Sequence, residues 1–254
     1  MDSVGGALEN RPMDLLRAAL IATVFVMAGV VKGISGMGLP TVAMSLLGIF
    51  LAPTEAAALL ILPSLATNVA QCTGPHLRAL TKRLWPTWLG LVLACIFSPG
   101  PSVATATSKA QMFLGVVLML YGVWGLSQKA VPRVPNQPAW AGVVPGAITG
   151  FITAATAVFV IPMVPYLQIL RLEKDAMIQA LGLCFTVATV ALAIRLRAAD
   201  AFVVSASTVL ALSMALAGIW VGSRLRSKLS QPMFQRILFV VFIGLGGVNL
   251  WRSI

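Results

Sequence analysis

Acid is what this chain has least of. Seven Asp and Glu stand among 254 residues, against eighteen Lys and Arg and a single histidine, His76. All charged types together make up 10% of the sequence, where a soluble domain carries about 25%, and 59% of the residues are hydrophobic. With a mean hydropathy of +0.94, the chain cannot cover its own surface with water-soluble groups. A soluble globular domain is excluded. Cysteine is scarce too: Cys72, Cys95 and Cys184 fall inside apolar runs, with no CxxC pair. That leaves a disulfide framework unsupported, and a zinc site as well, since His76 has no ligand partners near it in the sequence. The apolar runs also lack paired carboxylates and any nucleophile beside a base, so neither an enzyme nor a cofactor is expected.

What the chain does have is basic charge, with a net charge of +11 and an isoelectric point near 10.7. In a soluble protein this would indicate nucleic acid. Here the basic residues sit in short connections between apolar runs, the pattern of cytoplasmic loops. Nucleic acid is therefore not an expected partner; anionic lipid at the membrane surface is. Asp2, Glu9, Arg11, Asp14 and Arg17 form no clean positive leader, so the first apolar run is expected to belong to the mature fold.

The gaps between charges organise the chain into two similar halves. Residues 18–54 carry no charge except Lys32, and residues 134–170 carry none at all. Each run covers 37 residues, about 55 Å as a continuous helix. That is too long for one crossing of a roughly 30 Å core and short for two. Each run is better read as a helix, a break and a second, shorter segment. Charge-free stretches 56–77, 84–108 and 110–128 follow the first run, and 176–194, 201–223 and 237–251 follow the second.

This correspondence predicts an all-α integral membrane protein, a polytopic helical bundle of two inverted repeats. Each repeat would be a broken-helix hairpin plus three transmembrane helices. The parts are an N-terminal segment 1–17, a first repeat 18–128, a cytoplasmic linker 129–138 and a second repeat 139–254. Placing the connections 76–83, 129–138, 171–175 and 224–236 in the cytoplasm puts eleven basic residues inside and six outside. Arg195 and Arg197 count against that orientation. The sequence also admits a homo-oligomer.

"KGISGMGLPTVAM", Lys32 to Met44, sets a lysine, three glycines and a proline inside the first apolar run. In lipid, backbone freed by such residues costs several kcal/mol per group unless protein or a water-filled cavity satisfies it. A half-helix starting near Gly38–Pro40 would aim unpaired N–H groups, the positive end of its dipole, at whatever lies before it. Gly33, Gly36 and Gly38 allow close approach to the backbone, Ser35 offers a hydroxyl, and Lys32 adds a full positive charge. Those residue types suit an anion. A second reading stays open, in which spacing such as Gly29/Gly33 packs helices together and Lys32 snorkels to an interface. Asn68 and Gln71, three apart after Pro63, share one helical face. Thr153 and Thr156 occupy the matching break in the second half, and Gln179 follows "KDAMIQ". Each of these, taken alone, is more often a hydrogen-bonding residue between helices than a ligand contact, and it is their convergence on two related places that points to a site.

"GISGMGLPTVAM" followed by "EAAALLILPSLATNVAQ", and "GFITAATAVFVIPMVPYLQ" followed by "KDAMIQALGLCFTVATVAL", resemble the TauE/SafE-like sulfite exporter family, also called the toluene-sulfonate uptake permeases. The resemblance spans both halves. It implies a bacterial plasma-membrane permease for small sulfur-containing or other organic anions such as sulfite, sulfoacetate or sulfonates, with a glycine-rich break in each half. The first break keeps Gly33, Gly36 and Gly38; the second reads Thr153-Ala154-Ala155-Thr156, without glycine. The expectation is a secondary permease or exporter working by alternating access around a midplane site. A membrane scaffold subunit that transports nothing, and a permease for an unrelated small solute, are the rival readings.

Overall fold

The computed structural model describes residues 15–100, 102–105, 108–127, 137–198, 204–226 and 228–253. Of the expected N-terminal segment, residues 1–14 lie outside the described residues, as do residues 129–136 of the expected linker. Among the described residues the chain is helical, with ten α-helices and no strand. They are α1 Leu15–Ser35, α2 Leu39–Phe50, α3 Pro53–Cys72, α4 Leu77–Phe97 and α5 Ser108–Ser127, then α6 Val143–Thr156, α7 Met163–Ile169, α8 Lys174–Ala198, α9 Ala206–Leu225 and α10 Gln231–Trp251. Among the described residues, seven helical stretches are long and apolar enough to cross a membrane: α1, α3, α5, α6 with the 3₁₀ turn before it, α8, α9 and α10.

Local chemistry sets the ends. Gly36 and Gly38 take φ of 80° and 97°, the left-handed region that costs glycine nothing, and they stop α1. Pro40 then starts α2, with φ already set and no N–H to leave orphaned. Pro53 and Glu55 do the same service for α3, the carboxylate lying in the first turn where the dipole favours it. Ser205 and Thr208 form a reciprocal capping box on α9. The second break has no glycine, yet it forms. Ala157 closes α6 in the left-handed region at φ 56°, its N–H bonded to the Thr153 carbonyl. Residues 158–161 then run on outside any helix to Pro162. A non-glycine residue there costs about 1–2 kcal/mol, which the packed surroundings absorb.

The basic connections proved shorter than the charges implied. Residues 77–83 belong to the first two turns of α4, α8 begins at Lys174, and α9 runs through Arg224 to Leu225. Lysine and arginine are good helix formers with long stems, so a charge marks where the apolar core ends and not where the helix ends.

Packing follows the small residues. Gly29 and Gly33 of α1 lie against Gly218 and Gly222 of α9, and a Cβ on Gly33 would come within 2.8 Å of the Ser223 nitrogen. Position numbers rise together along this contact, so α1 and α9 run parallel. Gly146 and Gly150 of α6 lie likewise against Thr87, Leu91 and Cys95 of α4, again in parallel. Where lipid removes any hydrophobic drive between helices, such close backbone approach supplies the van der Waals attraction instead. Two other pairs run antiparallel. Gly115 and Gly122 of α5 meet Gly246 and Phe239 of α10, and Asn68 and Cys72 of α3 meet Thr189 and Thr186 of α8. Arg17 pairs with Glu55, so α3 starts level with α1 and runs parallel to it, and α2 must return between them.

Arg195, which as an outside charge spoke against the expected orientation, has a different job. Its guanidinium donates to the carbonyls of Cys95 at 2.7 Å, Ile96 at 3.0 Å and Ser98 at 3.1 Å, and to the Ser102 hydroxyl at 3.0 Å. These carbonyls end α4, where no helical N–H remains for them. One side chain of α8 thereby caps a neighbouring helix.

Candidate functional site

Lys32 lies in the last turn of α1, one turn before the Gly36–Gly38 break, and is only 4% exposed. It does not snorkel. Its ammonium donates to Asn68 Oδ1 on α3. The Asn68 amide in turn donates to the Thr189 hydroxyl of α8 at 3.4 Å, and Thr189 donates to the Phe185 carbonyl at 2.7 Å. A hydrogen-bonded chain therefore runs from α1 through α3 to α8, joining the first half of the sequence to the second. The carbonyl end of α1 favours a cation at this position. Among the described residues, however, the one ion pair is Arg17–Glu55, which lies 15 residues and about 22 Å before Lys32 along α1. Lys32 is a buried cation held by neutral groups.

Gln71, one turn beyond Asn68, donates to the Gly36 carbonyl at 2.9 Å, while its Oε1 is buried and meets no donor. A Cβ on Gly36 would meet nothing within 4 Å, so the break borders open space. Ser35 donates to the carbonyls of Val31 at 2.8 Å and Met37 at 2.7 Å and accepts from the Met37 N–H, tying the break together. Gly38 caps α2, whose first helical bond runs from the Val42 N–H to the Gly38 carbonyl. Thr41 at the start of α2 and Ser64, one turn before Asn68, carry buried hydroxyls with no partner. Lys32, Asn68 and Gln71 thus gather around one interrupted helix, with unpartnered hydroxyls one turn away along α2 and α3.

Of the residues nominated from sequence, Lys32, Ser35, Gly36, Gly38, Asn68 and Gln71 come together here. Gly33 sits in the α1–α9 contact. Gln179 is spent on the α3–α4 turn: its amide donates to the Cys72 carbonyl at 2.8 Å and the Gly74 carbonyl at 3.1 Å, and its Oε1 accepts from the His76 N–H at 3.1 Å. Thr153 and Thr156 turn their hydroxyls to the Thr149 and Ile152 carbonyls of their own helix. Thr156 also accepts from the Val158 N–H, as Ser35 does from Met37, so the two breaks are tied in the same way.

Sequence reasoning missed Thr41, Ser64 and Thr189. A signal existed for two of them: Ser64, Asn68 and Gln71 share a helical stripe, and Thr186 and Thr189 repeat it at a spacing of three in "CFTVATVAL". Only the α3–α8 pairing turns the two stripes toward each other.

Broken apolar helices closing around a buried, carboxylate-free cation define a polytopic membrane protein with a polar site at its interrupted backbone. The family model described as Sulfite exporter TauE/SafE matches residues 20–250, nearly the whole chain, and the chain belongs to that family of membrane permeases and exporters. Comparison with curated proteins and with solved structures returned no match.

Proposed function

We propose that this protein is a secondary permease or exporter for a small sulfur-containing oxyanion or organic anion, such as sulfite, sulfoacetate or a sulfonate, in a bacterial plasma membrane. The anion is taken up between Lys32, Asn68, Gln71 and the Gly36–Gly38 break, with the N–H groups at the start of α2 adding positive potential. The observation that carries this reading is a buried ammonium at a helix break, with no carboxylate among the described residues to answer it. A charge in the membrane interior is costly and persists where it has work to do.

Alternating access between two inverted repeats, 18–128 and 139–254, is the mechanism we favour. In its support, the parallel contact of α1 with α9 has its counterpart in that of α6 with α4, while α3/α8 and α5/α10 pair antiparallel, as a two-fold axis in the membrane plane requires. The Lys32–Asn68–Thr189 chain bridges those halves, so an anion that takes over the ammonium loosens one of their ties. With the cell interior negative, outward movement of one anionic charge is favoured by about 2.3 kcal/mol per 100 mV. The partners are the small anion and the surrounding lipid.

The test is flux of labelled sulfite and of a sulfonate in proteoliposomes under an imposed potential. Saturable flux that responds to the potential and disappears in Lys32→Gln is the expected result. Absence of flux, or flux indifferent to both the potential and Lys32, would refute the proposal.

A further inference from the structure

We infer that the site takes a monoanion carrying a hydrogen-bond donor of its own, and discriminates against dianions. The inference rests on the anion site proposed above and narrows its substrate class. It follows from a count of what faces the break. Among the described residues, Lys32 contributes the one formal charge there. Arg195 lies six residues past Thr189 on α8, about 9 Å along the helix, but its guanidinium is turned to three carbonyls at the end of α4 and to the Ser102 hydroxyl. The described carboxylates are distant as well. Glu55 lies 13 residues before Asn68 on α3, and Asp175 lies 14 before Thr189 on α8, each about 20 Å along its helix; Glu173, exposed, lies two residues before Asp175 and just ahead of α8. One negative charge therefore neutralises the site. A second would be buried with no cation opposite it, and its desolvation would go uncompensated.

The donor requirement comes from Gln71. Donation of its amide nitrogen to the Gly36 carbonyl fixes which way the amide points and leaves Oε1 buried with nothing donating to it. An acceptor-only atom beside an anion site repels a bare oxyanion and attracts an O–H or N–H. Thr41, three residues past Gly38, and Ser64, one turn before Asn68, also carry unpartnered hydroxyls that are free to rotate and donate. Among sulfur anions the arrangement fits hydrogensulfite or a hydroxyalkyl sulfonate better than the sulfite dianion, sulfate or a sulfonate that also bears a carboxylate, and so it removes sulfoacetate from the candidate substrates named above.

Three probes separate these features on the purified wild-type protein by isothermal titration at constant ionic strength: 2-hydroxyethanesulfonate, ethanesulfonate and sulfate. The first two share charge and head group and differ by one O–H. We expect 2-hydroxyethanesulfonate to bind at least fivefold more tightly than ethanesulfonate, and sulfate at least tenfold more weakly than either. In Gln71→Leu the difference between the two sulfonates should vanish, while sulfate stays the weakest. Sulfate binding as tightly as the sulfonates, with all affinity lost in Lys32→Gln, would overturn the inference and leave the anion site standing. Equal affinity for the two sulfonates in wild type would overturn it as well. Binding of none of the three, or binding untouched by Lys32→Gln, would overturn both the inference and the site it rests on.

Discussion

Replacing Lys32 by methionine and Asn68 by leucine together should make the protein more stable and blind to anions. Burying an ammonium costs several kcal/mol even after the protein relaxes. Lys32 recovers part of this from its bond to Asn68, about 1.5–3 kcal/mol for a hydrogen bond from a charged donor, and up to about 2 kcal/mol from the carbonyl end of α1. No carboxylate supplies the rest. Lys32→Met alone removes the charge but strands Asn68 Oδ1, at a cost of about 1–3 kcal/mol. The double variant strands little, because Thr189 keeps its bond to the Phe185 carbonyl. Its expected gain is about 2 kcal/mol, or roughly 4–8 °C in apparent Tm for a chain of this size. Wild type, both single variants and the double variant are to be melted in the same detergent at one scan rate, with and without 2-hydroxyethanesulfonate. The expected order places the double variant highest, with no shift on adding the anion. A double variant that melts below wild type, or one still stabilised by the anion, would refute the reasoning that Lys32 is held for binding at the expense of stability.

Two further outcomes test how the site is held. Arg195→Ala should lower stability by about 3 kcal/mol, because the final carbonyls of α4 lose charged donors at a part-buried helix end; its Tm should fall while anion affinity in the surviving folded protein stays unchanged. Gly222→Val should push α9 off the Val30 carbonyl of α1 and cost about 3 kcal/mol or more, whereas Gly244→Ala, where an added Cβ meets nothing within 4 Å, should stay within about 0.5 kcal/mol of wild type; melting the pair side by side checks both.

Much of the fold was legible as distances between charges, because lipid punishes charge in the middle of a span and so writes the spans into the sequence as gaps. The ten-helix order and the break after Ser35 follow from such gaps, together with glycine and proline. The second break was legible too, though not how it is made. Thr153-Ala154-Ala155-Thr156 announces no left-handed residue, and Ala157 takes that conformation under the pressure of its surroundings. The ends of α4, α8 and α9 were misjudged for the opposite reason, since lysine and arginine extend helices as readily as they end spans. Of the nominated polar residues, those one and two turns from the first break converge. Gln179 and the α6 threonines satisfy backbone carbonyls, a use that residue type alone never distinguishes from ligand binding.

By itself, then, the sequence determined that this chain lives in lipid, that it interrupts its helices twice, and that a lysine stands beside the first interruption. Each of these is a local matter, written in hydropathy, in glycine and proline, and in the spacing of charge. Only the tertiary structure decided that Lys32 meets an amide and not a carboxylate, that Thr189 completes its chain from 121 residues beyond Asn68, and that Arg195 is spent on a neighbouring helix. Those partners come from helices that find one another through small residues in contact, and no single stretch of sequence records which stripe will face which.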